Sequence, residues 1–273
     1  RRTRRMASTL RAQLLAQLGG AAAAADEADG ALGRRGGGGP DWTLGGCCNR
    51  AQTVLCVLVA VYTAVIWFTW RWRLLLPFKL LAVFLHEMGH ATAAWLTCGK
   101  VVSMEVHADE GGVTKTIGGS MWIILPAGYL GSSFWGMALV VASVDPIGVQ
   151  VAAGLLCFAL FVLLFLADNT TVRVLSVGFM LLIAGFWACQ ILTPFKGLEY
   201  IILFMGTMSG WFSVYDIYDD LISRRVNGSD AVKFAEMTHT SSRCWGVIWA
   251  CISLFFMTAG VYLALVVLSL NTQ

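Results

Sequence analysis

Long apolar runs dominate the chain after residue 51 and are separated by short polar breaks. A helix needs about 20 apolar residues to cross the hydrocarbon core of a bilayer. The pattern predicts about six to seven such spans, and we delimit seven, at 52–70, 74–98, 120–143, 146–167, 172–193, 197–218 and 245–268. We therefore expect an all-α polytopic membrane protein with about six to seven transmembrane helices.

A different pattern separates the second and third spans. Residues 99–119, GKVVSMEVHADEGGVTKTIGG, are rich in Val, Thr and Ile and carry the turn signal DEGG at 109–112. Such a segment is typical of a β-hairpin, and we expect it at the membrane face. Because open strand edges are not tolerated in lipid, the hairpin should pack against the helices or offer its edge to another strand.

The segment before the first span has a different composition from the rest of the chain. Residues 1–50 are rich in Ala, Gly and Arg and are nearly free of large apolar residues after Leu18. Such a segment buries too little apolar surface to offset the entropy lost on ordering. We predict a disordered low-complexity N-terminal segment over 1–50 and a transmembrane domain over 51–273.

Composition and charge agree with a membrane protein whose surroundings are the lipid bilayer. Only 13% of the residues are charged, against about a quarter in soluble domains. The net charge of +3 gives no basic footprint for a nucleic-acid partner. If the chain crosses at every predicted span, Lys and Arg are more numerous on the side that holds the N-terminus, so the positive-inside rule predicts a cytoplasmic N-terminus.

The second span contains three ionisable residues in the stretch FLHEMGHATAAWL, 84–96. His86 and His90 are four residues apart and so share one helical face, with Glu87 beside them. In this His-Glu-x-x-His arrangement two imidazoles bind Zn²⁺ and the carboxylate takes a proton from the metal-bound water. Because ionisable groups inside a span are costly and usually functional, we favour metal binding over interhelical hydrogen bonding.

A catalytic zinc site needs a third protein ligand. The best source is SGWFSVYDIYDDLISRR at the end of the sixth span. We favour Asp216 because it lies deepest in the apolar run, whereas Asp219 and Asp220 are more typical of a solvated helix end. His107, in the predicted hairpin, and His239, in a polar loop, are weaker candidates.

Glycines in the sixth span indicate how it could pack. Gly206 and Gly210 form a GxxxG pair, and small residues at this spacing allow two membrane helices to approach closely. Close packing of the sixth span against a neighbour would help to hold Asp216 near the histidine pair.

Taken together, these segments resemble the site-2 protease family of intramembrane zinc metalloproteases. The resemblance covers most of the chain after residue 74, and its elements are FLHEMGHA, the short β segment, LPAGYLGSSFWG and SVYDIYDD. The combination looks especially like a plant, algal and fungal peptidase-like branch. It implies His86, His90 and Asp216 as zinc ligands, Glu87 as general base and a metalloprotease-like domain over 51–273. The family's Asn-Pro-x-Pro…Leu-Asp-Gly signature is absent, which leaves the third ligand and the activity open.

The function that we expect is zinc-dependent cleavage of transmembrane or membrane-associated protein substrates. A substrate helix must unwind locally, and the hairpin edge could then hold it by strand addition. A catalytically inactive scaffold or chaperone-like protein with a retained metal site is the first alternative, although an intact Glu87 counts against it. An ion transporter is the second alternative, but no internal repeat supports it. The sequence indicates neither the substrate, the organelle nor the oligomeric state.

Overall fold

A computed structural model of the chain describes residues 42–45, 47–107, 109–166, 169–219 and 228–270. Most of the predicted N-terminal segment 1–50, and the candidate ligand Asp220, lie outside the described residues. The disorder of that segment and the domain boundary after it stay predictions.

The described residues form a helical bundle with one two-stranded hairpin, which confirms the predicted fold class. The elements in chain order are α1 (Arg50–Thr69), α2 (Leu76–Leu96), β1 (Lys100–Val106), β2 (Gly112–Ile117), α3 (Met121–Ala142), α4 (Pro146–Leu166), α5 (Thr170–Leu192), α6 (Gly197–Tyr218), α7 (Asp230–Thr238) and α8 (Ser242–Leu270). A 3₁₀ turn, Arg73–Leu75, leads into α2. Each predicted span corresponds to one long helix.

Local chemistry explains where several helices begin. The side chain of Asn49 accepts a hydrogen bond from the backbone N–H of Gln52, and the backbone N–H of Asn49 donates to the side-chain oxygen of Gln52, which completes a capping box and starts α1. Asn169 caps α5 in the same way, by accepting from the N–H of Val172. Pro146 opens α4, where its fixed φ and its missing N–H are tolerated.

Six of the described helices, α1 to α5 and α8, are long and apolar enough to cross a membrane. The remaining long helix, α6, has 22 residues but carries buried polar residues such as Thr207, Ser209 and Ser213. Its position in the bundle explains this composition, because a helix surrounded by other helices faces little lipid. The protein is therefore a multi-pass membrane protein, within the predicted range of six to seven spans.

The interior of the bundle is built on a close approach of α3 and α6. A Cβ placed on Gly136 would lie 2.9 Å from the carbonyl oxygen of Gly206, and a Cβ on Gly206 would lie 2.9 Å from the carbonyl oxygen of Gly136. Beside these glycines, the hydroxyls of Ser132 and Ser213 are 2.7 Å apart. The backbone contact is the close packing that the glycine spacing predicted for the sixth span.

The hairpin lies deeper than the expected position at the membrane face. It leaves the C-terminal end of α2 and runs back along that helix, so that Thr114 reaches Glu87 and Glu110 reaches Lys79. The buried side chains of β1 join the main core at Val101, Met104 and Val106. Backbone groups at membrane depth are tolerated where they are covered by protein or line a wet cavity. The packed β1 and the cavity beside β2 supply both conditions.

Candidate metal centre

The three ionisable side chains of the His-Glu-x-x-His stretch in α2 are buried in the middle of the bundle. His86 and His90 are each 6% exposed and Glu87 is 4% exposed. The helix can bring them close to α3 because Gly89 has no side chain, since a Cβ there would overlap the carbonyl oxygen of Ala127. The residues are therefore held in a rigid environment rather than on a mobile loop.

The two histidines converge on one carboxylate. The Nε2 atoms of His86 and His90 are 3.1 Å apart. The Oδ2 of Asp230 lies 3.1 Å from the first of these nitrogens and 2.9 Å from the second. Among the described residues, these three form the group that could hold a metal ion, and we call them the ligand group.

The distances between the three donor atoms fit a zinc ion. A tetrahedral zinc ion with bonds of about 2.0 Å has ligand atoms about 3.3 Å apart, close to the separations found here. Two imidazole nitrogens and one carboxylate oxygen are also a common donor set of catalytic zinc sites, in which a fourth position stays open. The three donor atoms therefore need little rearrangement to bind the ion.

Gly128 on α3 leaves room beside the imidazole nitrogens. A Cβ at this position would overlap Nε2 of His86 and would lie 2.5 Å from Nε2 of His90. The Cβ would lie almost as near to the two imidazole nitrogens as a bound metal ion does. Any side chain at position 128 would therefore compete with the ion for space. Gly128 therefore leaves space for an ion on one side of the three donor atoms.

Hydrogen bonding fixes the tautomer of His90. Its Nδ1 lies 2.7 Å from the carbonyl oxygen of Ile124. A carbonyl oxygen only accepts, so Nδ1 carries a proton and Nε2 is the nitrogen left to bind a metal ion. This is the usual arrangement of a metal-binding histidine.

Asp230 reaches the histidines from the first turn of the short helix α7. Ser229 caps this helix by accepting from the N–H of Val232. Phe234 anchors it through edge contacts with the rings of Trp122 on α3 and Trp249 on α8. Packing between distant helices therefore sets the position of the carboxylate.

The charge balance at Asp230 favours its ionised form. Burial raises the pKa of this carboxyl group, but the neighbouring imidazoles of His90 and His86 more than offset that effect, so the pKa lies below its ordinary value. The carboxylate is therefore available as a ligand without first losing a proton.

Glu87 faces the hairpin. Its Oε2 accepts a hydrogen bond of 2.6 Å from the hydroxyl of Thr114, and a Cβ on Gly112 would overlap its Oε1. Glu87, the two histidines and Asp230 line one cavity of about 420 Å³, which is bounded on one side by β2 and the hairpin turn. Glu87 and the ligand group thus share one cavity.

The comparison with protein families gives a match over most of the chain. A family model described as Peptidase M50B-like matches residues 57–260. The chain belongs to the Peptidase M50B-like family. It is therefore a member of the site-2 protease family of membrane metallopeptidases, as its motifs predicted. The comparisons with curated proteins and with solved structures gave no match.

The sequence-predicted site residues of this M50B-like protein lie at different distances from the ligand group. His86, Glu87 and His90 are together at the cavity, and Asp216 lines the same cavity. The Oδ2 of Asp216 is 3.7 Å from Nδ1 of His86, so it is next to the ring nitrogen that does not face the group. His86 Nδ1 is buried and has no hydrogen-bond partner among the described atoms.

The other candidates are farther from the ligand group. Asp219 lines the cavity but does not belong to the ligand group. The side chain of His107 is 45% exposed and lies 3.5 Å from Glu105. His239 ends α7 in a left-handed conformation, and Asp220 lies outside the described residues.

Asp230 is the ligand candidate that sequence reasoning missed. It occurs in NGSDAV, where a Ser-Asp pair before a short amphipathic segment is typical of an ordinary helix start. The available signal was its predicted location on the same membrane side as the end of the sixth span. That signal applies equally to Asp219, so it does not single out Asp230.

Proposed function

We propose that this M50B-like protein is an intramembrane zinc endopeptidase. The observation that carries the proposal is the convergence of two imidazole nitrogens and the Asp230 carboxylate at a cavity that Glu87 also lines. The donor set suits zinc, and the nearby carboxylate supplies the base that a hydrolase needs and a purely structural site does not.

The residues have separate roles in this proposal. His86, His90 and Asp230 hold the ion, and His90 is oriented by its hydrogen bond to Ile124. A bound zinc ion would polarise the scissile carbonyl and lower the pKa of a water molecule. Glu87 takes a proton from the attacking water and passes it to the leaving amine.

Asp216 has two possible roles in the same site. The sequence-based hypothesis makes it the third ligand. Its position beside Nδ1 of His86 better supports a carboxylate that accepts a hydrogen bond from a zinc-bound imidazole. We therefore propose Asp230 as the third ligand and Asp216 as the carboxylate that orients the ring of His86. The two roles predict different effects of Asp216→Asn and Asp230→Asn on zinc affinity.

The substrate that suits this site is an unwound segment of a transmembrane or membrane-associated protein. Within the described residues the sheet has two strands, so the outer edge of β2 is open to a third. Residues Val113, Thr114 and Thr116 of that strand line the cavity. An extended peptide could pair with this edge through backbone hydrogen bonds and present its carbonyl to the site.

We propose, as the charge distribution suggests, that the N-terminus faces the cytoplasm.

The decisive experiment compares wild-type protein with Glu87→Gln and His86→Ala in reconstituted vesicles. A set of single-span reporter proteins supplies substrates, and cleavage and bound zinc are measured on the same samples. We expect the wild type to bind one zinc ion and cleave, Glu87→Gln to bind zinc without cleaving, and His86→Ala to lose both.

Two outcomes would contradict this function. Zinc binding with equal cleavage by the wild type and Glu87→Gln would exclude the proposed mechanism. Stoichiometric zinc in a wild type that cleaves no reporter and binds no zinc-directed inhibitor would favour a scaffold that retains the metal site.

A further inference from the structure

Thr114 connects the hairpin to the side chain of Glu87. Its hydroxyl lies 2.6 Å from Oε2 of Glu87 and 3.2 Å from the backbone oxygen of the same residue. The shorter distance is typical of an O–H group that donates to an ionised carboxylate. The carboxylate is thus held from a strand, although its own backbone belongs to a helix.

Gly112, two residues before Thr114 in β2, leaves space for the other carboxylate oxygen of Glu87. A Cβ at Gly112 would overlap Oε1 and lie 2.8 Å from the carboxyl carbon of Glu87. Gly112 and Thr114 are two residues apart in β2, so they present the same face of the strand to α2. One residue donates a hydrogen bond to the carboxylate and the other leaves space for it.

We propose that Thr114 is the positioning residue of the general base, and that Gly112 completes its cradle. This inference rests on the proposed peptidase function. With Oε2 fixed by the hydroxyl, the rotation of the carboxylate is restricted and Oε1 is left to accept the proton of the attacking water. Thr114 acts on the reaction through Glu87 and makes no bond to the ligand group.

This arrangement couples the base to the substrate-binding strand. The Thr114 side chain contacts Glu87, while Val113, Thr114 and Thr116 of the same strand line the cavity, and within the described residues β2 pairs with β1 alone. A displacement of β2 therefore moves the hydroxyl away from the carboxylate. A peptide that pairs with β2 and holds it against α2 would align the base at the moment when its own carbonyl arrives.

The test compares Thr114→Val, which removes the hydroxyl at nearly constant volume, with Thr114→Ser, which keeps it. Zinc content, kcat and KM are measured on full-length protein in vesicles. Because a hydrogen bond to a charged group is lost, we expect Thr114→Val to lower kcat by about 10-fold or more, with zinc content unchanged and KM within about twofold. Thr114→Ser should restore kcat to within about threefold of wild type.

Thr207→Val provides a matched control. Thr207 is buried in α6 and its hydroxyl donates to the backbone oxygen of Leu203. It undergoes the same chemical change within the membrane but does not contact Glu87, and we expect kcat within about twofold of wild type. A fall of kcat in Thr207→Val equal to that in Thr114→Val would show a general packing effect and overturn the positioning role.

A second measurement separates the role of Thr114 from the proposed function. A peptidyl hydroxamate binds zinc and hydrogen-bonds to the base, so its affinity for the zinc-loaded protein reports on Glu87 without turnover. We expect Glu87→Gln and Thr114→Val both to weaken binding, the latter by about 10-fold. Wild-type affinity in Thr114→Val, with weakened binding in Glu87→Gln, overturns the role of Thr114 alone. A zinc-loaded wild type that neither cleaves nor binds the hydroxamate overturns the proposed function and this role with it.

Discussion

The Nδ1 of His86 lies 3.7 Å from the Oδ2 of Asp216, on the side of the ring that does not face the ligand group. The Nε2 of the same ring is 3.1 Å from the Oδ2 of Asp230. One imidazole therefore lies between two carboxylates. In metal sites, such an arrangement assigns one carboxylate to the ion and the other to the distal N–H of the histidine.

This arrangement predicts different effects of two asparagine substitutions on zinc affinity. Loss of an outer carboxylate typically weakens metal binding by about 10- to 100-fold, and we expect this from Asp216→Asn. Loss of a direct ligand costs more, so Asp230→Asn should leave the purified protein largely free of zinc. Competition with a chelator measures both affinities.

Asp145→Asn is the control for these substitutions. Asp145 accepts hydrogen bonds from the backbone N–H groups of Ile147 and Gly148 at the start of α4, and it lies outside the cavity residues. Its zinc affinity should equal that of the wild type. A greater loss of zinc in Asp216→Asn than in Asp230→Asn would make Asp216 the third ligand.

Gly128→Ala should abolish zinc binding with little effect on the fold. The new methyl group would overlap Nε2 of His86 and press on that of His90. Alanine itself favours a helix over glycine by about 1 kcal/mol, so the helix should not be weakened. The zinc content of the purified variant and its circular dichroism spectrum check these two expectations.

Gly178→Ala is the matched control for this change. Gly178 lies in α5, and a Cβ there would have no neighbour within 4 Å. Full zinc occupancy in this variant, with none in Gly128→Ala, would assign the loss to the site. Normal zinc occupancy in Gly128→Ala would contradict the ligand geometry.

The ion pair between Lys79 and Glu110 should hold the hairpin tip against α2. The Lys79 ammonium lies 3.0 Å from the carboxylate and 4.3 Å from the centre of the Trp70 ring, and its side chain is 6% exposed. Glu110→Gln leaves this buried charge without its anionic partner, which we expect to destabilise the protein by about 3 kcal/mol.

A double-mutant cycle measures this contact. Lys79→Met combined with Glu110→Gln removes both charges, so the pair should be less destabilised than the sum of the single variants. Thermal unfolding in detergent gives the stabilities, and protease sensitivity of the hairpin reports its release. Strict additivity of the two single effects would show that the ion pair does not hold the tip.

The parts of this fold that the sequence predicted are those set by local patterns. Apolar runs define the helices, and the four-residue spacing of His86 and His90 brings their rings to one face whatever surrounds them. The position of Asp230 depends instead on the aromatic contacts of Phe234 with Trp122 and Trp249. Those residues come from different helices, so no local pattern contains that information.

The hairpin illustrates the same limit. The alternating pattern and the DEGG turn predicted its existence, since they are properties of the segment itself. Its depth is set by contacts with α2, namely Lys79 with Glu110 and Glu87 with Thr114. Each is a polar contact between residues distant in sequence, and a strand at the membrane face would have satisfied the local pattern equally well.

The contact between Gly136 and Gly206 predicts how stability responds to small increases in volume. Each backbone occupies the space that a Cβ of the other would need, so Gly206→Ala must push α3 and α6 apart. Overpacking of this kind typically costs about 1–3 kcal/mol, which should lower the midpoint of thermal unfolding in detergent. Gly154→Ala is the control, because a Cβ at Gly154 in α4 meets nothing within 4 Å. An equal or higher midpoint for Gly206→Ala than for Gly154→Ala would show that the two helices can separate without loss, and so that this contact does not hold the bundle together.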